Sequence, residues 1–295
     1  MRTYQSLSGS QNFISDIQTQ SLKGEVHSTF NRTINIICDS GELYTIAAEE
    51  LDNAPNTLRV TNFFNNRPQL IIKTPVYSQN GRLMIGEIAA IEIQGASEWH
   101  YPEIEFPKKQ EYSKISKRVD QLQGWLIPLE STGGYLLNKK QATTYEKMLH
   151  TMLWQESEQL LAYLKEKQLF QAMKQLKRVI GLGPGLTPSG DDFLVGLALI
   201  FTTVHYPYHS LKQWLFNSRN ELRKRTNIIS FSALDWAIKG VARERIGSFL
   251  KELFYGESEV VLKRKMLAVL AIGSTSGGDM LTGMLEGIKL TLSLD

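Results

Sequence analysis

The residues predict an α+β chain: an N-terminal antiparallel β-rich domain, then a predominantly α-helical domain with two glycine-rich loops at helix N-termini. Three observations carry this. Short runs rich in β-branched residues, separated by turn residues, occupy 24–94. Beyond about residue 142, apolar residues recur at spacings of three and four, the period of a helix face. Finally, Gly181 to Asp192 and Gly273 to Asp279 each run straight into an apolar segment of helical length. The change of period sets the domains at 1–110 and 111–295.

In the first part, strands are expected over His27 to Cys38, Gly41 to Ala47, Leu58 to Asn62, Leu70 to Tyr77 and Leu83 to Ile93. Asp39-Ser40-Gly41, Asp52 to Asn56 and Gln79-Asn80-Gly81 supply the turns, and Asn80-Gly81 is the best hairpin signal. A small antiparallel sheet or barrel results. Tyr101 to Arg118, with Pro102, Pro107 and many charges, reads as a linker.

Helical faces follow. Tyr145, Met148, Leu149, Met152, Leu153, Leu160, Leu161 and Leu164 outline the first, and Leu169, Met173, Leu176 and Ile180 the second. Leu211, Leu215 and Leu222, then Leu234, Ile238 and Val241, then Leu262, Met266, Val269 and Leu270 outline three more. Phe193 to Val204 is too short to span a bilayer, which needs about 20 apolar residues, and reads as a buried helix. Gly196, with Gly283 and Gly287, lets the two glycine-led helices cross closely.

The first loop fits neither standard phosphate signature. A dinucleotide fingerprint needs a third glycine where Leu186 stands, and a P-loop needs Lys then Ser or Thr where Asp191-Asp192 stand. A plain structural reading makes Ser189 and Ser276 N-caps, with Asp192 and Asp279 closing Ser-x-x-Asp boxes. Capping alone does not require Gly181, Gly183, Gly185 and Gly190 together with Pro184 and Pro188 in one stretch. Gly-x-Thr-x-x-Gly-Asp recurs in both loops, so one composite site is expected. Substrate contacts are assigned to Gly183, Gly185, Thr187, Ser189 and Gly190, and to Thr275, Ser276, Gly277 and Gly278.

Amides at a helix N-terminus favour an anion, whereas adjacent carboxylates repel one. Either a cation such as Mg²⁺ intervenes, held by Asp191, Asp192 and Asp279, or the ligand presents N–H₂ donors to these acceptor-only groups. The same three aspartates are the catalytic candidates. Arg225, Thr226 and Ser230, where a helical pattern breaks, add a cation and hydroxyls; the plain alternative for Arg225 is a solvated helix end.

Composition bounds the rest. Lys+Arg 33 against Asp+Glu 30 gives a net charge of +3, too scattered for nucleic acid. The single Cys38, in an apolar run, reads as core, and the polar beginning lacks a secretory apolar segment, so a cytoplasmic protein is expected. His205 and His209 have zinc-ligand separation, but Pro207 lies between them and no Glu follows His205.

Gly183-Pro-Gly-Leu-Thr-Pro-Ser-Gly-Asp-Asp-Phe-Leu194, Arg225-Thr226 with Ser230, and Gly273 to Asp279 resemble a bacterial family catalogued as domain of unknown function 2877, that of the AllH subunit of oxamate carbamoyltransferase. Val26 to Phe30 and Ala54-Pro55-Asn56 are also similar to it, so the likeness spans most of the chain. The resemblance implies a role in allantoin catabolism, where oxalurate and phosphate become oxamate and carbamoyl phosphate in an assembly of several proteins. It implies an oligomeric partner set and small anions (phosphate, carbamoyl phosphate or oxamate) as ligands, with no membrane. The other readings are a non-catalytic metabolite-binding or scaffolding subunit and an Asp- and Mg²⁺-dependent hydrolase.

Overall fold

A computed structural model describes residues 1–65, 69–129 and 133–294, and the chain divides into two compact units, Met1–Pro102 and Glu103–Asp295. The first is strand-rich and the second carries most of the helices, as an α+β chain requires.

In the first unit, β1 (Arg2–Ser10) is followed by α1 (Gln11–Gln18), β2 (Lys23–Thr29), β3 (Thr33–Cys38), β4 (Leu43–Ala48) and β5 (Thr57–Val60). Then come β6 (Pro75–Gln79), β7 (Arg82–Ile85), β8 (Ala89–Glu92) and β9 (Ser97–Trp99). The sheet order is β5-β4-β3-β2-β6-β7-β8-β1-β9, and a further β5–β1 pairing closes the ring into a barrel. Closure removes the exposed edges an open sheet would leave. Most pairings are antiparallel, but β1 runs parallel to β8 and β9, and β4 to β5. Inside lie Val26, Ile34, Ile36, Ile46, Leu58, Leu83 and Ile91, with Phe13, Ile14 and Ile17 of α1 in the same core. Cys38 belongs to it too, and burial pushes its thiol up to about 12, which suits packing rather than nucleophilic chemistry.

Several expected strands are cut differently. His27 to Cys38 is two strands folded on each other, because Ser28 and Thr29 pair back onto Asn35 and Ile34. Leu83 to Ile93 likewise folds into β7 and β8, and Leu70 to Tyr77 shrinks to a strand that starts at Pro75. The Asn80-Gly81 hairpin forms as expected, both residues having positive φ. The mostly polar β1 carries no sequence signal; Tyr4 packs on Phe63 at 4.6 Å and Ser6, Ser8 and Ser10 are buried, while its backbone pairs with three other strands.

The second unit contains α2 (Tyr112–Leu126), α3 (Thr144–Lys165), α4 (Leu169–Val179), α5 (Ser189–Phe201) and α6 (His209–Arg223). It continues with α7 (Ile228–Ile238), α8 (Glu244–Tyr255), α9 (Glu259–Leu270) and α10 (Ser276–Ser293). The expected linker to Arg118 therefore ends sooner: Ile115, Val119, Leu122 and Leu126 give α2 a buried face. On α3, Tyr145 and Met148 are 60% and 57% exposed, and the face turned inward is His150, Leu153, Ser157, Leu160 and Leu164. Two polar residues in that row hid it from a search for apolar periodicity.

Every residue of α5 is buried, as a helix apolar on all sides must be. It lies against α10 with almost no side chain between. A Cβ on Gly196 would sit 2.0 Å from the Met280 carbonyl oxygen, and one on Gly283 would sit 2.0 Å from that of Phe193. The predicted glycine crossing is thus present. Contacts advance together along both helices, from Phe193–Gly283 to Leu197–Gly287. The two N-termini consequently lie side by side.

Candidate functional site

Each glycine loop links two helices, α4 to α5 and α9 to α10. In the first, the Gly181 N–H donates to Asp191 Oδ1 at 2.5 Å. Ser230 Oγ donates to Asp191 Oδ2 at 2.6 Å, and Thr226 Oγ1 donates to the same oxygen. Asn227 caps α7 through the Ile229 and Ser230 N–H groups and donates its own amide to the Leu186 carbonyl at 2.7 Å. The 226–230 segment therefore straps the loop down, with the Thr226 and Ser230 hydroxyls occupied by Asp191. Gly183 and Gly185 lie within this loop with positive φ, and Arg225 is exposed beside it. Among the described residues, the Arg225 side chain meets no acidic partner.

Ser189 and Ser276 are not the N-caps. They are the first helical residues, and the caps, Pro188 and Thr275, make no side-chain capping bond. The two first turns instead face each other across the helices: the Ser276 and Thr187 hydroxyls lie close enough to Asp192 to favour its charged form, and those of Ser189 and Thr275 do the same for Asp279. Thr187 Oγ1 and Ser276 Oγ, 3.0 Å apart, join the loops directly. Side-by-side N-termini crowd two positive dipole ends, and carboxylates in the first turns relieve this.

The loops are equivalent in a register one residue away from that of Gly-x-Thr-x-x-Gly-Asp. A Cβ on Gly190 would lie 2.0 Å from the Val179 carbonyl oxygen, and one on Gly277 would lie 2.0 Å from that of Val269, so both glycines let a loop pass close to the preceding helix. Ser189-Gly190-Asp191-Asp192 thus matches Ser276-Gly277-Gly278-Asp279. Asp192 and Asp279 form the equivalent pair, and Asp191 stands where the second loop has Gly278.

These carboxyls are nearly inaccessible: Asp191 is 0%, Asp192 4% and Asp279 1% exposed. Burial, with Asp279 and Asp191 nearby, pushes Asp192 up to about 8, and burial pushes Asp279 up to about 6. Burial also raises Asp191, against its three hydrogen bonds. Asp192 Oδ2 and Asp279 Oδ2 are buried without a hydrogen-bond partner. Among the described residues no group of three His, Cys, Asp or Glu is arranged to hold a metal.

A third segment, missed in the sequence, completes the centre. The Tyr135 N–H donates to Asp279 Oδ1 at 2.8 Å, and Gly134, at φ +66°, leaves room only because a Cβ there would lie 2.1 Å from that oxygen. Tyr135 stacks on Phe193 at 4.9 Å and bonds through its hydroxyl to Ser157; Trp154 Nε1 donates to its carbonyl at 3.3 Å. His150 Nδ1 lies 3.0 Å from the Gly134 carbonyl oxygen. Gly133-Gly134 was the available signal. A cavity of about 570 Å³ opens on the far side of this segment, between α2, α3 and α10.

The other sequence features are occupied elsewhere. Arg219 pairs with Asp235, and Lys224 with Glu221. No helix among the described residues is long and apolar enough to cross a membrane.

Two family models match: the AllH family N-terminal domain over residues 5–98, and oxamate carbamoyltransferase subunit AllH over residues 179–288. The chain belongs to the AllH family. No solved structure matches it. The AllH match runs from the end of α4 through α10 and holds both glycine loops and all three aspartates. Gly134, Tyr135, His150 and Trp154 fall between the two AllH segments.

Proposed function

We propose that the chain is one subunit of a carbamoyltransferase, and that the paired N-termini of α5 and α10 hold a small anion bearing an N–H₂ group. The observation that carries this reading is the pair of buried, unpartnered oxygens, Asp192 Oδ2 and Asp279 Oδ2, at adjacent helix N-termini. Helix ends attract the anion, and a buried carboxyl oxygen left without a partner can accept from its N–H₂ group. Oxamate and carbamoyl phosphate offer both.

In phosphorolysis of oxalurate, a phosphate oxygen bonds to the carbamoyl carbon, the C–N bond breaks, and the departing oxamate nitrogen takes a proton. Asp192, raised to about 8, holds a proton at neutral pH and is the group we assign to supply it. Arg225 supplies positive charge at the exposed edge of the first loop. The subunit description implies other chains, and these are assigned the opening of the buried aspartates to substrate.

The measurement is carbamoyl phosphate formation from oxalurate and phosphate, by the chain alone and with its partner subunits. The isolated chain is expected to be nearly inactive, and Asp192→Asn to lower the assembled rate at least about tenfold, the low end for a general acid's contribution being about a hundredfold. Arg225→Ala is expected to weaken phosphate binding about tenfold by calorimetry, the effect of losing one charged hydrogen bond. An unchanged rate in an assembled Asp192→Asn complex would leave the scaffolding reading, which the burial of the aspartates favours.

A further inference from the structure

We propose that the cavity between α2, α3 and α10 is a second ligand site, built for an organic anion with an apolar, ring-sized body. At about 570 Å³ it falls within the range that encloses a small organic ligand, roughly 300–1,000 Å³, and is far roomier than phosphate requires. None of Asp191, Asp192 and Asp279 lines it, so it stands apart from the glycine loops.

The class of ligand follows from which wall groups are already satisfied. Leu126, Leu137 and Leu285 are buried around it, and Ile127, 84% exposed, sits at its mouth with no protein covering it. The polar groups of the deeper wall are used internally. Trp154 Nε1 donates to the Tyr135 carbonyl, and the Tyr135 hydroxyl bonds with Ser157. Thr282 Oγ1 donates to the Gly278 carbonyl at 2.9 Å, and Glu286 pairs with Lys289 at 2.8 Å. Trp154 therefore offers its ring rather than a donor. Gln123 and Asn138 add neutral polar groups, Asn138 accepting from the Lys140 N–H at 3.0 Å, and the charged groups that remain are Lys139 and Lys140, exposed at the rim, which meet no acidic partner among the described residues. Lys139 also borders an adjoining cleft with His150, Trp154 and Glu158, whose one acidic side chain belongs to α3. A largely apolar wall takes an apolar body, and two ammonium groups at its rim that meet no acidic partner among the described residues take the anionic end.

The probe is 8-anilinonaphthalene-1-sulfonate, an aromatic anion, titrated into the full chain and followed by fluorescence, with N-phenyl-1-naphthylamine as its uncharged counterpart. Saturable binding of the sulfonate is expected. The double variant Lys139→Ala/Lys140→Ala should weaken it about fivefold, the scale of two solvent-exposed charge contacts, while the uncharged probe binds as before. Ile127→Asp, at a position exposed enough to leave the fold alone, should also weaken the sulfonate more than the neutral probe. Lys212→Glu, on the distant α6, should change neither. The proposal is overturned if the sulfonate shows no saturable binding. It is equally overturned if the lysine variant leaves its affinity unchanged or lowers both probes alike. None of these readings depends on carbamoyl transfer.

Discussion

The two glycine loops share a Ser-Gly-x-Asp core but are anchored in different ways. The first is held by its extra carboxylate, Asp191, which gathers the Gly181 N–H and the Thr226 and Ser230 hydroxyls. The second has Gly278 at that place and is held from outside by the Tyr135 N–H on Asp279. The difference separates two jobs that adjacent aspartates could have shared. Asp191 fastens the fold, whereas Asp192 and Asp279 each keep one oxygen unpartnered.

The strongest way to break this comparison is Asp191→Ala. Three donors lose their acceptor in the core, which should cost about 3 to 5 kcal/mol and lower Tm by about 10 °C. A loss no greater than that of a surface substitution would remove the fastening role.

Protonation sharpens the contrast between the loops. Asp192 rises from the ordinary carboxylate range to about 8 on folding, so the folded chain binds more protons than the unfolded one between about pH 4 and 8. Its contribution to stability is therefore fully present below about pH 4 and lost as pH rises to about 8. Asp279, at about 6, acts in the same direction over a narrower window. His150, lowered by burial, opposes both as pH falls through its own range. Comparing denaturant unfolding of the native chain with Asp192→Asn cancels the His150 effect. The variant should be more stable at pH 8, on the order of 2 kcal/mol, with the gap closing toward pH 4. A gap of constant size would show that Asp192 does not titrate in this window.

A smaller effect distinguishes the anchors. Gly134→Ala places a methyl against Asp279 at positive φ and should cost about 2 kcal/mol. Gly185→Ala, also at positive φ but facing open space, should cost only about 1 kcal/mol. Equal losses in urea unfolding would mean that backbone strain, not contact with Asp279, dominates at Gly134.

The amino-acid sequence by itself determined the β-then-α order, the Asn80-Gly81 turn, the buried α5 and the glycine crossing of α5 on α10, and its motif placed the chain in a family. Each is local: a period, a turn dipeptide, or the absence of a side chain decides it. The β1 strand, the inward face of α3 and the Tyr135 anchor were decided only by the tertiary structure. A polar strand such as β1 is stabilised by backbone pairing with distant strands, which leaves no pattern in its own residues. His150 and Ser157 are buried because Gly134 and Tyr135 satisfy them, and that pairing exists only once α3 has docked. The one-residue register between the loops is of the same kind. Sequence comparison matched Asp191 with Asp279, but the close passages at Gly190 and Gly277 align Asp192 with it, because backbone contact, not residue identity, sets equivalence.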